Sequence, residues 1–288
     1  MNTPPAPVIP VCAGMTVAHA LGAARAAGVD RLDAQLMLAH LLQQPRSWLI
    51  AHDDVALSAL QATQYAKWLE RRRAGEPLAY VLGQTEFCGR VLQVGPQVLI
   101  PRPETELLVE WGLEVLAARF PSVNTPSVVD LGCGSGAIAL AIRHRCPATM
   151  VTAIDASAAA LGIARRNSEA LDLPITLTQG DWWSAVAGQR FHLALSNPPY
   201  VAPGDPHLAA LHHEPRSALV AADHGLADLH RLIDGAPASL HPGGWLLLEH
   251  GHDQGAAVRL RLQQASFSEV ATRCDLAGLA RCTGGRFG

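Results

Sequence analysis

The first quarter of the chain carries apolar residues at the spacing of a helix. From residue 16 to about residue 73 they recur three and four positions apart, which predicts a small helical region. Thr16 and Ser58 have side chains preferred at helix N-caps, Gly28 suits a helix C-terminus, and Pro45 interrupts the pattern. The run Arg71-Arg72-Arg73 is expected at a solvated helix end, where its charge suits the helix dipole.

Alternating apolar and polar positions replace the helical pattern between residues 80 and 100 and predict a hairpin-like connector. Helical spacing returns over residues 104–119, and beyond Pro126 strand and helix patterns alternate. The predicted strands are 127–131, 149–154, 175–178, 191–196, 245–249 and about 269–273, and the predicted helices are 137–145, 157–171 and about 226–240. This order predicts an α/β fold, a doubly wound parallel sheet with helices on both faces, because each parallel connection needs a crossover.

Composition and charge narrow the class of protein. The 288 residues are 49% hydrophobic and 16% charged, which is typical of a globular protein large enough for two domains. A formal net charge of -3 provides no overall attraction to a phosphate backbone, so we expect no direct nucleic-acid partner. No window has the apolar length of a membrane span, and we expect no membrane partner. The start of the chain, with Pro4, Pro5, Pro7 and Pro10, is expected to be a frayed tail.

The cysteines point away from metal and disulfide chemistry. Six are present (Cys12, Cys88, Cys133, Cys146, Cys274 and Cys282), and none forms a C-x-x-C pair. Neither a zinc site nor a disulfide framework is therefore indicated. We expect free thiols in a reducing, cytoplasmic environment and no bound metal.

A glycine loop follows the first predicted strand of the sheet. Asp130 precedes Gly132-Cys133-Gly134-Ser135-Gly136, and a helix pattern starts at Ala137. Glycines allow a tight turn and a close approach of a ligand to the backbone. The positions of Gly132, Gly134 and Ala137 also satisfy the dinucleotide pattern G-x-G-x-x-A. Two features favour S-adenosylmethionine over a dinucleotide as the ligand. Asp130 is suited to an ammonium group, and the three glycines have the spacing G-x-G-x-G.

Acidic residues also end the next two predicted strands. Asp155 lies where a carboxylate can accept both ribose hydroxyls, although by itself it would be an ordinary helix N-cap. Asp181 can accept a hydrogen bond from an exocyclic amine, and the ring of Trp182 can stack on adenine. This second assignment is the less specific one, because Asp is common after Gly in turns.

The sequence Asn197-Pro198-Pro199-Tyr200 ends the fourth predicted strand. In a doubly wound sheet this loop and the glycine loop meet at one crevice. The Asn197 side-chain carbonyl and the Pro198 backbone carbonyl can together accept both hydrogens of a planar NH2 group. Acceptors that follow these hydrogens as nitrogen becomes tetrahedral stabilise the transition state more than the ground state. We therefore assign Asn197, Pro198 and Tyr200 to catalysis, all four loop residues to substrate binding, and Asn197 also to the cofactor.

These motifs resemble the peptide chain release factor glutamine N(5)-methyltransferases over nearly the whole chain. The resemblance rests on the glycine loop, the Asn197–Tyr200 loop and four further segments, Ala74-Gly75-Glu76-Pro77-Leu78-Ala79-Tyr80, Ile100-Pro101-Arg102-Pro103-Glu104-Thr105-Glu106, His213-Glu214-Pro215-Arg216 and Pro242-Gly243-Gly244-Trp245. Adenine methyltransferases share Asn-Pro-Pro-Tyr but not the second of these four segments. One departure is Cys88, where relatives are expected to have an aromatic residue, and it affects the packing of the connector.

The resemblance implies a class I S-adenosylmethionine-dependent methyltransferase with a Rossmann-like sheet. It implies a helical substrate-docking domain over residues 1–80, a β-hairpin connector over 81–103 and a catalytic domain over 104–288. The substrate would be the glutamine of the Gly-Gly-Gln motif in class I release factors, with its amide bound by Asn197 and Pro198. We expect the enzyme to be a monomer.

Three other functions fit parts of the pattern. An N(6)-adenine methyltransferase also needs in-plane acceptors for an NH2 group, and Tyr200 would stack a flipped base. A nicotinamide-dependent oxidoreductase is supported only by the ambiguous glycine loop. A non-enzymatic adaptor that keeps the fold is disfavoured, because every expected cofactor contact is present.

Overall fold

The computed structural model describes residues 14–288, which divide into two compact units with the boundary after Gly83. The proline-containing start of the chain and Cys12 lie outside the described residues. The other five cysteines are free thiols. Within residues 14–288 no helix combines the length and the apolar character needed to cross a bilayer.

The first unit consists of helices. They are α1 (Val17–Ala26), α2 (Arg31–Leu42), α3 (Trp48–Ala51), α4 (Ala59–Arg73) and α5 (Leu78–Leu82). The predicted N-caps are confirmed, since the Thr16 side chain accepts from the His19 backbone N–H and Ser58 forms a capping box with Gln61. Because α5 continues to Leu82, this unit extends beyond the predicted limit at residue 80.

The arginine run at the end of α4 is tied to its own unit. Arg71 forms an ion pair with Glu76, 2.5 Å apart, and also donates to the Tyr80 carbonyl. Arg72 forms an ion pair with Asp33 on α2, at 2.6 Å. These arginines therefore hold the helices of the unit together, in addition to balancing the helix dipole.

The second unit begins with a hairpin of β1 (Gln84–Phe87) and β2 (Arg90–Gln93). Its two-residue turn is formed by Cys88 and Gly89, with φ of 47° and 71°, which is the conformation of a type I′ turn. The Cys88 N–H donates to the Glu106 side chain at 2.8 Å. Alternation thus predicted the hairpin but not its limits, because residues 78–82 are helical and the strands end at Gln93.

The remaining elements form a seven-stranded sheet with helices. The strands are β3 (Ser127–Leu131), β4 (Met150–Asp155), β5 (Thr176–Gln179), β6 (Phe191–Ser196), β7 (Leu240–Glu249), β8 (Phe267–Cys274) and β9 (Ala280–Phe287). The helices are α6 (Glu106–Arg119), α7 (Ala137–Arg145), α8 (Ala158–Leu171), α9 (Ala227–Ser239) and α10 (Gly255–Gln264). The strand order is β5-β4-β3-β6-β7-β9-β8.

The sheet is mixed, which corrects the prediction of a parallel sheet. β9 was not predicted, and it lies antiparallel between β7 and β8. Its sequence lacks a strand-like apolar alternation because Gly284 and Gly285 stand inside it. A Cβ at Gly284 would lie 2.4 Å from the Leu247 side chain, so close packing on β7 requires glycine there.

Close packing between α9 and Trp183 generates a stability prediction. The Trp183 indole donates to the Leu232 carbonyl at 2.8 Å, and a Cβ at Gly235 would lie 2.2 Å from the ring. Gly235→Ala is therefore expected to lower the free energy of unfolding by about 1–3 kcal/mol through overpacking. Gly162→Ala on α8 is the matched control, because its Cβ would meet nothing closer than 3.9 Å. There the better helix propensity of alanine should raise stability by about 0.5–1 kcal/mol. Urea unfolding of both variants measures whether the free energy of unfolding falls in Gly235→Ala and rises in Gly162→Ala.

Candidate active site

The glycine loop turns sharply between β3 and α7. Gly132, Gly134 and Gly136 all have positive φ, at 77°, 54° and 82°. The N–H groups of Gly132 and Cys133 both donate to the Ile154 carbonyl at the end of β4. The loop therefore needs glycines for its backbone conformation and is anchored to the neighbouring strand.

A cavity of about 480 Å³ opens beside this loop at the carboxyl ends of the strands. The predicted site residues that line it are Gly132, Cys133, Gly134, Ser135, Asp155, Asp181, Trp182, Asn197 and Pro199. The predicted residues outside its lining are Asp130, Gly136, Pro198 and Tyr200. The sheet topology thus brings most of the predicted residues to one crevice, as expected for its switch point between β3 and β6.

Asp155 lies at the end of β4 and faces the cavity. Its Oδ2 accepts from the Gly134 N–H at 2.9 Å, and its Oδ1 accepts from the Ser157 N–H at 2.8 Å. The N-cap of α8 is Ser157, so Asp155 is not the helix cap that the sequence alone also allowed. Each carboxylate oxygen keeps a further lone pair for a ligand.

Asp130 lies beneath the glycine loop and is fully buried. Its Oδ2 accepts from the Ala139 N–H in the first turn of α7, and its Oδ1 has no hydrogen-bond partner among residues 14–288. Burial raises the pKa of Asp130 to about 7. The contact between Asp130 and an ammonium group remains a prediction. The hydrogen bond of Asp130 to the N-terminal turn of α7 already stabilises the glycine loop that precedes this helix.

Trp182 and Asp181 also line the cavity. A Cβ at Gly132 would lie 3.1 Å from the Trp182 ring, so the ring packs directly on the glycine loop. Asp181 forms an ion pair with Arg231 at 2.5 Å, and Arg231 also lines the cavity. Sequence reasoning missed Arg231, which carries no motif signal.

The Asn197 carboxamide enters the cavity at the end of β6. Its Nδ2 donates to the Thr105 hydroxyl oxygen at 3.1 Å. The Oδ1 atom of Asn197 therefore remains able to accept a hydrogen bond from a ligand. Pro198 is buried and does not line the cavity. The Tyr200 hydroxyl donates to Oε1 of Glu249 at 3.3 Å, and burial raises the pKa of Tyr200.

Two further side chains fix the walls of the cavity. The buried Glu214 accepts from the Ile100 N–H at 3.0 Å and forms an ion pair with Arg102. The buried Asn167 contacts Gln93 at the end of β2 and donates to the Ser135 carbonyl at 2.9 Å. Glu214 belongs to the segment His213-Glu214-Pro215-Arg216, which contributed to the family resemblance but had no assigned role. Asn167 belongs to no motif, and the sequence predicted only that it lies in a helix.

Two family models match the chain in separate segments. The model described as "PrmC N-terminal domain" matches residues 16–83, and the model described as "Methyltransferase small domain" matches residues 107–221. The first match ends where the helical unit ends, and the second covers the glycine loop and the Asn197–Tyr200 loop.

Curated relatives match nearly the whole chain. A release factor glutamine methyltransferase from Bordetella pertussis is 46% identical over 261 residues, covering 90% of this chain and 95% of its own. A relative of the same description from Burkholderia pseudomallei is 46% identical over 271 residues, covering 91% and 94%. A solved methyltransferase from Pyrococcus furiosus shares the fold, with a TM-score of 0.51 at 17% identity over 68% of this chain and 88% of its own. With this identity and coverage, the chain belongs to the release factor glutamine methyltransferase family.

Proposed function

We propose that this enzyme transfers a methyl group from S-adenosylmethionine to the side-chain amide nitrogen of the glutamine in the Gly-Gly-Gln motif of class I peptide chain release factors. The relatives at 46% identity carry the assignment of the substrate. The arrangement of Asn197 supports the chemistry, because its NH2 is committed to Thr105 and its carbonyl oxygen remains for a donor.

The residues around the cavity fit S-adenosylmethionine. When bound, this cofactor supplies an electrophilic methyl group on a positively charged sulfur. Asp155 would accept from the ribose, and the ring of Trp182 and the carboxylate of Asp181 would bind adenine. The Oδ1 of Asp130, which has no partner in the described part of the chain, would place a negative charge under the glycine loop and attract a cationic ligand.

The loop residues would activate the substrate through its amide hydrogens. The lone pair of a glutamine amide is delocalised into its carbonyl, so the nitrogen is a weak nucleophile in the planar ground state. Acceptance by Oδ1 of Asn197 and by the Pro198 carbonyl favours the tetrahedral nitrogen of the transition state. No general base is then required before attack.

The helical unit would hold the protein substrate. It has its own hydrophobic core and its own helix caps at Thr16 and Ser58. A role in docking uses remote contacts to position the reacting glutamine. We propose that the enzyme acts as a monomer in the cytoplasm.

Methyl transfer from labelled S-adenosylmethionine to a purified class I release factor tests the proposal, with DNA as the competing acceptor. Label on the release factor is the expected result. Label on DNA alone would instead support an adenine methyltransferase.

Asp155→Ala is expected to weaken S-adenosylmethionine binding by about 1–3 kcal/mol, since hydrogen bonds to a charged group are lost. Turnover at saturating cofactor should largely survive. Isothermal titration measures the binding, with Glu169→Ala as the control because Glu169 is exposed on the neighbouring helix α8. Wild-type affinity in the Asp155 variant would exclude its ribose role.

Asn197→Ala is expected to reduce methyl transfer about 10²-fold or more, because one of the two acceptors that align the amide is lost. Cofactor affinity should fall only modestly. A transfer assay combined with titration separates the two effects, and Asn124→Ala, at an exposed loop position, serves as the control. Undiminished turnover would contradict the catalytic role.

A fragment starting at Gln84 tests the docking role. It should still bind S-adenosylmethionine yet lose most activity on intact release factor, since the remote binding energy is gone. On a short Gly-Gly-Gln peptide, the fragment and the full chain should be similarly slow. Equal rates of the two proteins on intact release factor would refute docking by the helical unit.

A further inference from the structure

Gln254 is a buried residue at the N-cap position of α10, and its side-chain amide contacts three separate backbone segments. Its Oε1 accepts from the Gly251 N–H at 2.9 Å. Its Nε2 donates to the Tyr200 carbonyl at 3.0 Å and to the His224 carbonyl at 3.2 Å. A backbone N–H can only donate and a backbone carbonyl can only accept, so these three contacts fix the orientation of the Gln254 amide.

The peptide unit between Tyr200 and Val201 is held from both sides. Its carbonyl accepts from Gln254, and its N–H donates to the Leu219 carbonyl at 2.8 Å. The carbonyl of Val201 in turn accepts from the Ala221 N–H at 3.1 Å. The chain is therefore fixed directly after the loop that ends at Tyr200.

The turn before α9 packs closely against this contact. Gly225 has a φ of 85°, and a Cβ there would overlap the Tyr200 carbonyl oxygen and lie 2.8 Å from Nε2 of Gln254. Asp223 and His224 also have positive φ, at 52° and 54°, which costs free energy in residues that carry a Cβ. The turn thus adopts an unfavourable conformation at the place where it contacts both Gln254 and Tyr200.

The loop between β6 and Val201 has fixed ends and a stiff middle. Asn197 follows directly on the last residue of β6, and Tyr200 is held by Gln254. Between them, the rings of Pro198 and Pro199 fix φ at two consecutive positions. Because the loop has few free dihedral angles, a displacement of the Tyr200 carbonyl is transmitted to the Pro198 carbonyl.

We infer that Gln254 is a positioning residue that holds the Tyr200 carbonyl and thereby directs the Pro198 carbonyl toward the substrate amide. The inference rests on the proposed function, because the Pro198 carbonyl is one of the two acceptors in that function. Gln254 does not line the cavity, so its effect on the reaction passes through the loop.

Two substitutions of Gln254 test this role. Gln254→Met keeps the length of the side chain and removes all three hydrogen bonds. Gln254→Glu keeps an acceptor for the Gly251 N–H but has no NH2 group for the two carbonyls. Both variants should lower kcat about 10- to 100-fold, because a displaced acceptor is no longer aligned with the reacting amide. The KM for release factor and the affinity for S-adenosylmethionine should change little.

Two control variants account for the loss of a buried polar contact and for the added charge. Thr149→Val removes a buried hydroxyl that donates to the Cys146 carbonyl at 2.7 Å and does not line the cavity. Gln263→Glu adds a carboxylate at an exposed position of α10. Both controls should keep the wild-type kcat. A wild-type kcat in either Gln254 variant, or a loss of cofactor affinity as large as the loss of kcat, would overturn the inference.

An NMR measurement on the cofactor-free protein tests the contact without turnover. Two tyrosines precede a valine, in Tyr80-Val81 and Tyr200-Val201, so labelling with 13C-carbonyl tyrosine and 15N-valine gives two correlation signals. The Val201 signal, identified by its loss in Val201→Ile, should move in both Gln254 variants. The Val81 signal, which comes from the helical unit, should stay in place. An unmoved Val201 signal would overturn the inference even if kcat falls.

The two measurements distinguish a failure of this inference from a failure of the proposed function. If the wild type methylates release factor and the Val201 signal does not move, the proposed function stands and the inference fails. If the wild type does not methylate release factor but the Val201 signal moves, the proposed function fails while the fixation of the Tyr200 carbonyl by Gln254 is supported.

Discussion

The parallel pairing of β3 with β6 is the constraint on which the active site depends. Asp130 and Leu195 are partners in this register, so the glycine loop and the Asn197 loop leave the sheet side by side. The buried Ser196 hydroxyl donates to the Leu131 carbonyl and joins the two strand ends where the loops begin. The two loops therefore start side by side, and contacts with Ile154 on β4 and with Thr105 then hold them in place.

Three buried carboxylates hold the segments that surround the cavity. Asp130 lies under the glycine loop, Glu214 holds the wall near Ile100, and Glu249 holds the loop that contains Asn197. Each costs desolvation energy, and each is retained at a place where a loop must keep one conformation. Burial raises the pKa of Asp130 and Glu249 to about 7. A bound cation would favour their ionised forms, and by the same coupling their charge favours binding of a cation.

The groups proposed to contact the reacting amide are neutral, in contrast to those that support them. A side-chain carbonyl of Asn197 and a backbone carbonyl of Pro198 can accept hydrogens without taking a proton. An ionised carboxylate at the same place would itself attract the positively charged cofactor. In the proposed reaction, neutral acceptors suit the weakly nucleophilic amide nitrogen, and the buried acids suit the positive charge of the methyl donor.

The sequence by itself determined the elements that depend on local patterns. Helix caps at Thr16 and Ser58, the strands that carry the glycine loop and the Asn197 loop, and the family resemblance follow from residues close together in the chain. Tertiary structure decided the antiparallel insertion of β9, the burial of Asp130 and the partners of the loop residues. Asn197 meets Thr105 across 92 positions, and Tyr200 meets Glu249 across 49. Periodicity describes only which face of an element is apolar, whereas such pairs are selected by how distant elements pack against one another.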